Sequence, residues 1–451
     1  MIHAFVDGFA LHDPSEMEPV SFSEMRAAAD PDLRLELAKK WGKTCGKQPI
    51  NEIRNYFGEK VAFYFAWIST LMASLWVPAV LGTLVFIYGV TRRVDSWKGK
   101  DVMYYIEIVK SSSDNSLTPA FAAIICLWGT IFMEVWKRKQ ISLARQWHVD
   151  NFDQVEPDRP QFRGTKEVYN PFSQQLLQYY PFHKSMLKYL MSFSVLVMMV
   201  MLVFISVTGV IVYRVWMTVS YCSPEDKVCD LMHGTIIATL LNTLSIMILG
   251  KIYEYIAIKL TEWENHQTLS GHNDALVIKL FAFQFANTYA SLFYTAFFRR
   301  DFGTGVLGMD EKYTDNCGHK DNDNCMSLLS FQLLVLMIVK PFPKFVKDVI
   351  WPWLKKALRH CRLNEIDDFT TDEGVSKQNY FLREMLKPST EDFRLGEFTE
   401  KMIQYGYLVL FAASFPLAPA LALLFNIIDF KIDSKRLLWW NRRPTPYRDN
   451  D

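Results

Sequence analysis

Cysteine is scarce, with 7 in 451 residues, too few for a secreted disulfide scaffold of this length. Neither sign of charge predominates: 49 Lys+Arg stand against 48 Asp+Glu for a net +1, which disfavours a nucleic-acid binder. The sequence holds no Walker-type loop, nucleophile elbow, zinc-ligand spacing or internal repeat. No nucleophile, base and oxyanion donor fall together, so the chain does not read as an enzyme. No signal peptide precedes the first apolar run, because residues 1–60 carry scattered charges throughout and are expected to stay cytosolic. Aromatics make up 15% of the chain, which excludes disorder, and half the residues are hydrophobic. Those apolar residues fall in long uncharged blocks with the charges crowded between them, the pattern of an all-α polytopic membrane protein.

A helical span needs about 20 mostly apolar residues to cross roughly 30 Å of hydrocarbon. Blocks that meet this need lie at 61–91, 116–136, 189–213, 231–260 and 276–298. A sixth, 326–354, is uncharged only to Val339; its continuation through Lys340, Pro341, Pro343, Lys344, Lys347 and Asp348 has to face protein or water. The last apolar block is divided by Phe415-Pro416-Leu417-Ala418-Pro419 into spans 397–415 and 419–437, because two prolines three apart break a helix. The expected organisation is a cytosolic segment 1–60 with a short amphipathic helix in 27–43, a transmembrane domain 61–437 of about eight helices, and a cytosolic tail 438–451.

Basic residues in the short loops set the orientation. The connection after span two, the 251–279 segment and the stretch after span six are the basic ones and share one parity, which is cytoplasmic. The opposite, oxidising side then receives Cys222, Cys229, Cys317 and Cys325, candidates for two local disulfides whose connectivity the sequence leaves open. Cys45, Cys126 and Cys361 read as free thiols.

The same parity brings five carboxylates to one membrane depth: Asp348 on span six, Glu397 and Glu400 three apart on span seven, and Asp429 and Asp433 four apart on span eight. Carboxylates so packed have to take up protons or a cation, and Ca2+ accepts six to eight oxygens in flexible geometry. The plainer reading makes them solvated helix ends compensated by Lys344, Lys347, Lys401 and Lys431.

Four ordered motifs carry a family resemblance: 53–60 (IRNYFGEK) leading into 63–67 (FYFAW), 134–140 (EVWKRKQ), 260–266 (LTEWENH) and 415–419 (FPLAP). Together they make the chain from about Asn51 onward resemble the anoctamin family of calcium-activated chloride channels and calcium-dependent phospholipid scramblases. The resemblance implies Ca2+ as cofactor, held by Asp348, Glu397, Glu400, Asp429 and Asp433. Membrane lipids and chloride or other anions are the implied partners, with no nucleic acid. Two departures stand out: Lys344 replaces an Asn one turn before the span-six acid, and 339–343 (VKPFP) replaces a hinge glycine. The family has ten spans and dimerises partly through the tenth. A chain that stops at Asp451 before the ninth is expected to be a fragment or isoform in which dimerisation is in doubt.

In that family a groove bordered by spans three to seven carries ions or lipid headgroups. Lys279, Arg299 and Lys340 are candidates to line it, against snorkelling at the interface for each of them. Glu262, Glu264 and His266 are expected to cap and solvate the cytoplasmic mouth, and the span-five aromatics to pack helices or face lipid. Three functions follow from the resemblance: a calcium-activated anion channel first, a scramblase second, and a non-conducting tether or regulatory fragment third. The location is a membrane, with the plasma membrane ahead of an intracellular one.

Overall fold

The computed structural model describes residues 10–12, 33–41, 48–94, 112–149, 156, 158–170, 175–221, 235–299, 325–346, 350, 354, 385, 387 and 393–444. The helices are α1 (Leu33–Trp41), α2 (Ile50–Phe57), α3 (Glu59–Val94), α4 (Thr118–Trp147), α5 (Phe182–Ser220), α6 (Ala238–Glu264), α7 (Leu269–Phe293), α8 (Cys325–Val339), α9 (Phe342–Phe345), α10 (Phe393–Leu410) and α11 (Ala418–Lys435). Between α4 and α5 the chain adds a small antiparallel hairpin, β1 (Lys166–Asn170) with β2 (Gln175–Tyr179), Lys166 pairing Tyr179.

Six helical segments are long and apolar enough to cross a membrane: Glu59–Arg92, Thr118–Trp147, Phe182–Ser220, Thr235–Glu264, Leu269–Phe298 and Cys325–Phe345. Each overlaps one of the first six expected spans, the sixth ending at Phe345 where the expected one runs to 354, and they make the chain an integral multi-pass membrane protein. The expected seventh and eighth appear as α10 and α11, 18 residues each, joined through the Phe415-Pro416 turn. Their charged faces lower their hydropathy and turn toward protein, the arrangement that charge at membrane depth requires.

Local chemistry explains the boundaries. Gly58 links α2 to α3 at φ 90°, a conformation that costs a side chain dearly. His148 and Asn265 end α4 and α6 in left-handed geometry, and the Thr268 hydroxyl caps α7 by accepting from the Gly271 amide. Pro341 and Pro343 separate α8 from the single turn of α9.

Two cores result. The larger joins α3 to α10 and α11 around Phe65, Leu75, Leu333, Tyr407 and Phe430; the smaller joins α5, α6 and α7 around Met199, Tyr253 and Phe283. Against the larger core the amino-terminal segment clasps the chain just beyond α11. Buried Arg34 donates twice to the Leu438 carbonyl and lies over the Trp439 ring, while Arg443 donates to the Tyr56 carbonyl. His12 bonds Tyr56 and the Asn441 carbonyl, and burial, reinforced by the Arg34 charge, pushes its imidazole down to about 3.

Candidate functional site

The carboxylates of α10 and α11 meet beneath the broken end of span six. Helical spacing puts Glu397 and Glu400 on one face of α10, and Asp429 and Asp433 on one face of α11. The hairpin turn then folds these faces against each other and against α3, whose Tyr64 hydroxyl donates to Asp433 Oδ2 at 2.8 Å. Asp433 and Glu397 are buried, and Glu400 and Asp429 are partly so. Asp348 lies outside the described residues.

Three cations answer these four carboxylates. Lys344 on α9 contacts Glu397 and stands 3.2 Å from Glu400. Lys401, 1% exposed, contacts Asp429. Arg436 reaches Glu397 at 3.4 Å and Asp433 at 3.7 Å. One formal negative charge is left over, and Asp433 Oδ1 is buried without a hydrogen bond. Solvated helix ends would not look like this; the described acids are held in a charged interior. Of the cations named from sequence as compensation, Lys344 and Lys401 serve the cluster, Lys431 is exposed, and Lys347 lies outside the described residues. Arg436 and Tyr64 went unforeseen, although the i,i+3 step from Asp433 to Arg436 was visible.

Hard carboxylate oxygens, among them an Asp433 Oδ1 that makes no hydrogen bond, fit Ca2+ in donor type. Among the described residues, however, no three His, Cys, Asp or Glu side chains converge into a metal-holding group. Ammonium and guanidinium groups stand between the acids instead. Were calcium bound, Glu397, Glu400, Asp429 and Asp433 would hold it, and it would supply a divalent counter-charge to the acids of α10 and α11.

A second feature runs between spans three and six. Asn242 of α6 donates to the Ser291 hydroxyl of α7 at 2.9 Å, Gln332 of α8 donates to the same oxygen at 3.1 Å, and Thr295 donates to Gln332 at 3.0 Å. A cavity lined by these four, with Val207 and Arg214 of α5, opens beside them. Further along α7, Asn287 donates to the Ile246 carbonyl, and Lys340 donates to Thr288 at 3.0 Å. At the far end Lys279 is 2.5 Å from Glu264, which also pairs with His266 at 2.8 Å. Polar side chains therefore follow α7 from one end to the other. Asn287, Ser291 and Thr295 recur every fourth residue, a signal the sequence carried and the hydrophobic average concealed.

The candidate lining residues fare differently. Lys340 lies on this seam. Lys279 is also there but spends its charge on Glu264, whose side chain is 0% exposed. Glu264 is thus not the solvated cap expected, because α6 and α7 close over it. Arg299 is 9% exposed, a buried group rather than a snorkelling one. Among the span-five aromatics, Phe283 and Tyr289 are buried and Phe285 is exposed, as packing and lipid-facing roles require. Cys222, Cys229 and Cys317 lie outside the described residues, Cys325 opens α8, and the disulfide pairings are therefore not described. Cys126 is a free thiol, as expected, while Cys45 and Cys361 lie outside the described residues.

Comparison with known proteins agrees with this architecture. The family profile described as "Anoctamin: Calcium-activated chloride channel" matches residues 53–451. The chain is 30% identical to mouse (Mus musculus) anoctamin-7 over 99% of its own length and 55% of the relative's. It is 29% identical to human anoctamin-4 over 98% of this chain and 49% of that protein, and 30% identical to human anoctamin-3 over 93% and 45%. The chain thus spans about half the length of the curated relatives it matches. With the four sequence motifs and the helical membrane core, the profile match over most of the chain shows that this protein belongs to the anoctamin family.

Proposed function

We propose that this chain forms the membrane core of a calcium-activated anion channel, with the polar seam along α7 as its path and the acids of spans six to eight as its gate. The observation that supports this reading is the seam itself. Amide and hydroxyl side chains from α6, α7 and α8 face one another at membrane depth, where lipid-facing helices place apolar groups. Lys340 gives the path its sign, since its ammonium donates to a neutral Thr288 hydroxyl rather than a carboxylate and is placed to favour anions. The gate consists of Asp348, Glu397, Glu400, Asp429 and Asp433 binding Ca2+. Occupancy changes the charge balance of the acids and their lysine and arginine partners and repositions span six, whose proline break supplies the hinge.

Phospholipid scrambling is the second reading. It is favoured by α5, where Phe204, Ile205 and Trp216 are exposed on the helix that also borders the cavity, so that headgroups would enter while tails stay in lipid. Chloride flux and fluorescent-lipid scrambling measured in the same liposomes, across stepped calcium, test both. A channel passes chloride without flipping lipid, and Lys340→Gln lowers its anion preference. Calcium dependence unchanged in both Glu400→Gln and Asp433→Asn would sink the gate assignment.

A further inference from the structure

We propose that Lys344 is a tethered cation that occupies the calcium position of the carboxylate cluster, so that calcium enters only by displacing its ammonium. This rests on reading the cluster as a calcium site and names the residue that regulates it. The Lys344 ammonium contacts Glu397 and stands 3.2 Å from Glu400, the two acids that share one face of α10. It therefore bridges both acids of α10 from one point, as a bound ion would. Lys401 and Arg436 neutralise the acids pairwise from α10 and from the turn after α11. Lys344 alone among these three is delivered by span six, from the single turn that Pro341 and Pro343 cut out of the helix.

Lysine is a compact point charge with three donors, and calcium needs the same oxygen lone pairs for its own shell. The two are mutually exclusive on electrostatic grounds, since a divalent ion beside an ammonium meets like-charge repulsion in a water-poor setting. In the absence of calcium, then, the ammonium itself holds span six against span seven. Binding of calcium exchanges that tether for a metal contact rather than closing an open gap. The consequence is a calcium sensitivity set by one side chain.

Equilibrium binding of radioactive calcium to the purified protein in lipid nanodiscs, at fixed ionic strength, tests this with wild type, Lys344→Gln, Lys344→Arg and Glu400→Gln. Removing the charge is expected to tighten calcium binding about 10-fold or more, equivalent to about 1.4 kcal/mol, while Lys344→Arg stays near wild type. Thermal unfolding in chelator supplies a second readout. Lys344→Gln lowers the midpoint because the acids lose their counter-charge, and saturating calcium restores it. Equal calcium affinity in wild type and Lys344→Gln, with binding lost in Glu400→Gln, overturns the tether and leaves the calcium site standing. No calcium binding by Lys344→Gln up to millimolar concentration, and no recovery of its midpoint, overturns the calcium site and the tether together.

Discussion

Substituting Gly406 tests how closely span seven approaches span five. A Cβ at this position on α10 would stand 2.0 Å from the Tyr289 hydroxyl oxygen and 2.9 Å from its ring Cζ. That ring has little room to move: Tyr289 is 1% exposed, donates to the Ile403 carbonyl at 2.7 Å, and packs edge-on against Phe285 and Tyr407. Overpacking of this kind costs about 1–3 kcal/mol, offset by up to about 1 kcal/mol gained on replacing a helical glycine. Gly406→Ala is therefore expected to destabilise by about 1–2 kcal/mol. Tyr289→Phe deletes the offending oxygen at a cost of about 1 kcal/mol for the lost hydrogen bond. In that background Gly406→Ala is expected to be nearly neutral, a coupling of about 1–2 kcal/mol between the sites. Unfolding in detergent, followed by tryptophan fluorescence for wild type, both single variants and the double, measures the cycle. Strict additivity, or a Gly406→Ala variant as stable as wild type, would refute the close approach of α7 and α10.

Other expectations follow from single contacts. A Cβ at Gly82 would meet the Pro416 carbonyl oxygen at 2.0 Å, a backbone atom that cannot swing away, whereas nothing lies within 4 Å of Gly209. Gly82→Ala is expected to lower the unfolding midpoint and Gly209→Ala to leave it equal or higher; the reverse order would contradict the packing of α3 on the hairpin turn. Glu264→Gln, which strands Lys279 beside a buried neutral amide, is expected to cost about 3–5 kcal/mol. The double Glu264→Gln/Lys279→Met recovers most of that, and thermal unfolding of the pair distinguishes a buried ion pair from an exposed one. His12 stays neutral in the fold down to about 3 against an ordinary value of 6.5. The unfolded segment takes up a proton first, so the clasp is fully stable above pH 6.5 and weakens as pH falls from there toward 3. Limited proteolysis of the amino-terminal segment at pH 7.5 and 5 is expected to show faster cleavage at the lower pH, and His12→Asn to flatten the difference.

Hydrophobic block length alone located the first six spans, because the cost of burying unpaired backbone in lipid leaves little freedom over where a helix runs. Proline spacing likewise pointed to the hairpin at Pro416 and Pro419, whereas the break in span six at Pro341 and Pro343 was not foreseen. The sequence also paired Glu397 with Glu400 and Asp429 with Asp433 on single helix faces, since helical period is a one-dimensional property. Which cations answer them was a different matter. Lys344, Lys401 and Arg436 each pair with a residue on another element, 28 to 53 positions away, and Tyr64 reaches Asp433 across 369. Only the folding of α9, α10 and α11 onto α3 chose among the basic residues available.

The same division holds for the seam and the clasp. Asn242, Ser291, Thr295 and Gln332 are individually unremarkable polar residues in apolar helices, and their meaning comes from three helices turning them toward one another. Glu264 looked like a solvated helix end because its neighbours in sequence are charged; tertiary packing buried it and assigned it Lys279. Sequence by itself determined a polytopic helical core, which follows from local period and hydropathy, and its likeness to the anoctamin family, which four ordered motifs carry. Tertiary structure alone decided which charges neutralise which, because Coulomb pairing depends on distances in space that no spacing along the chain records.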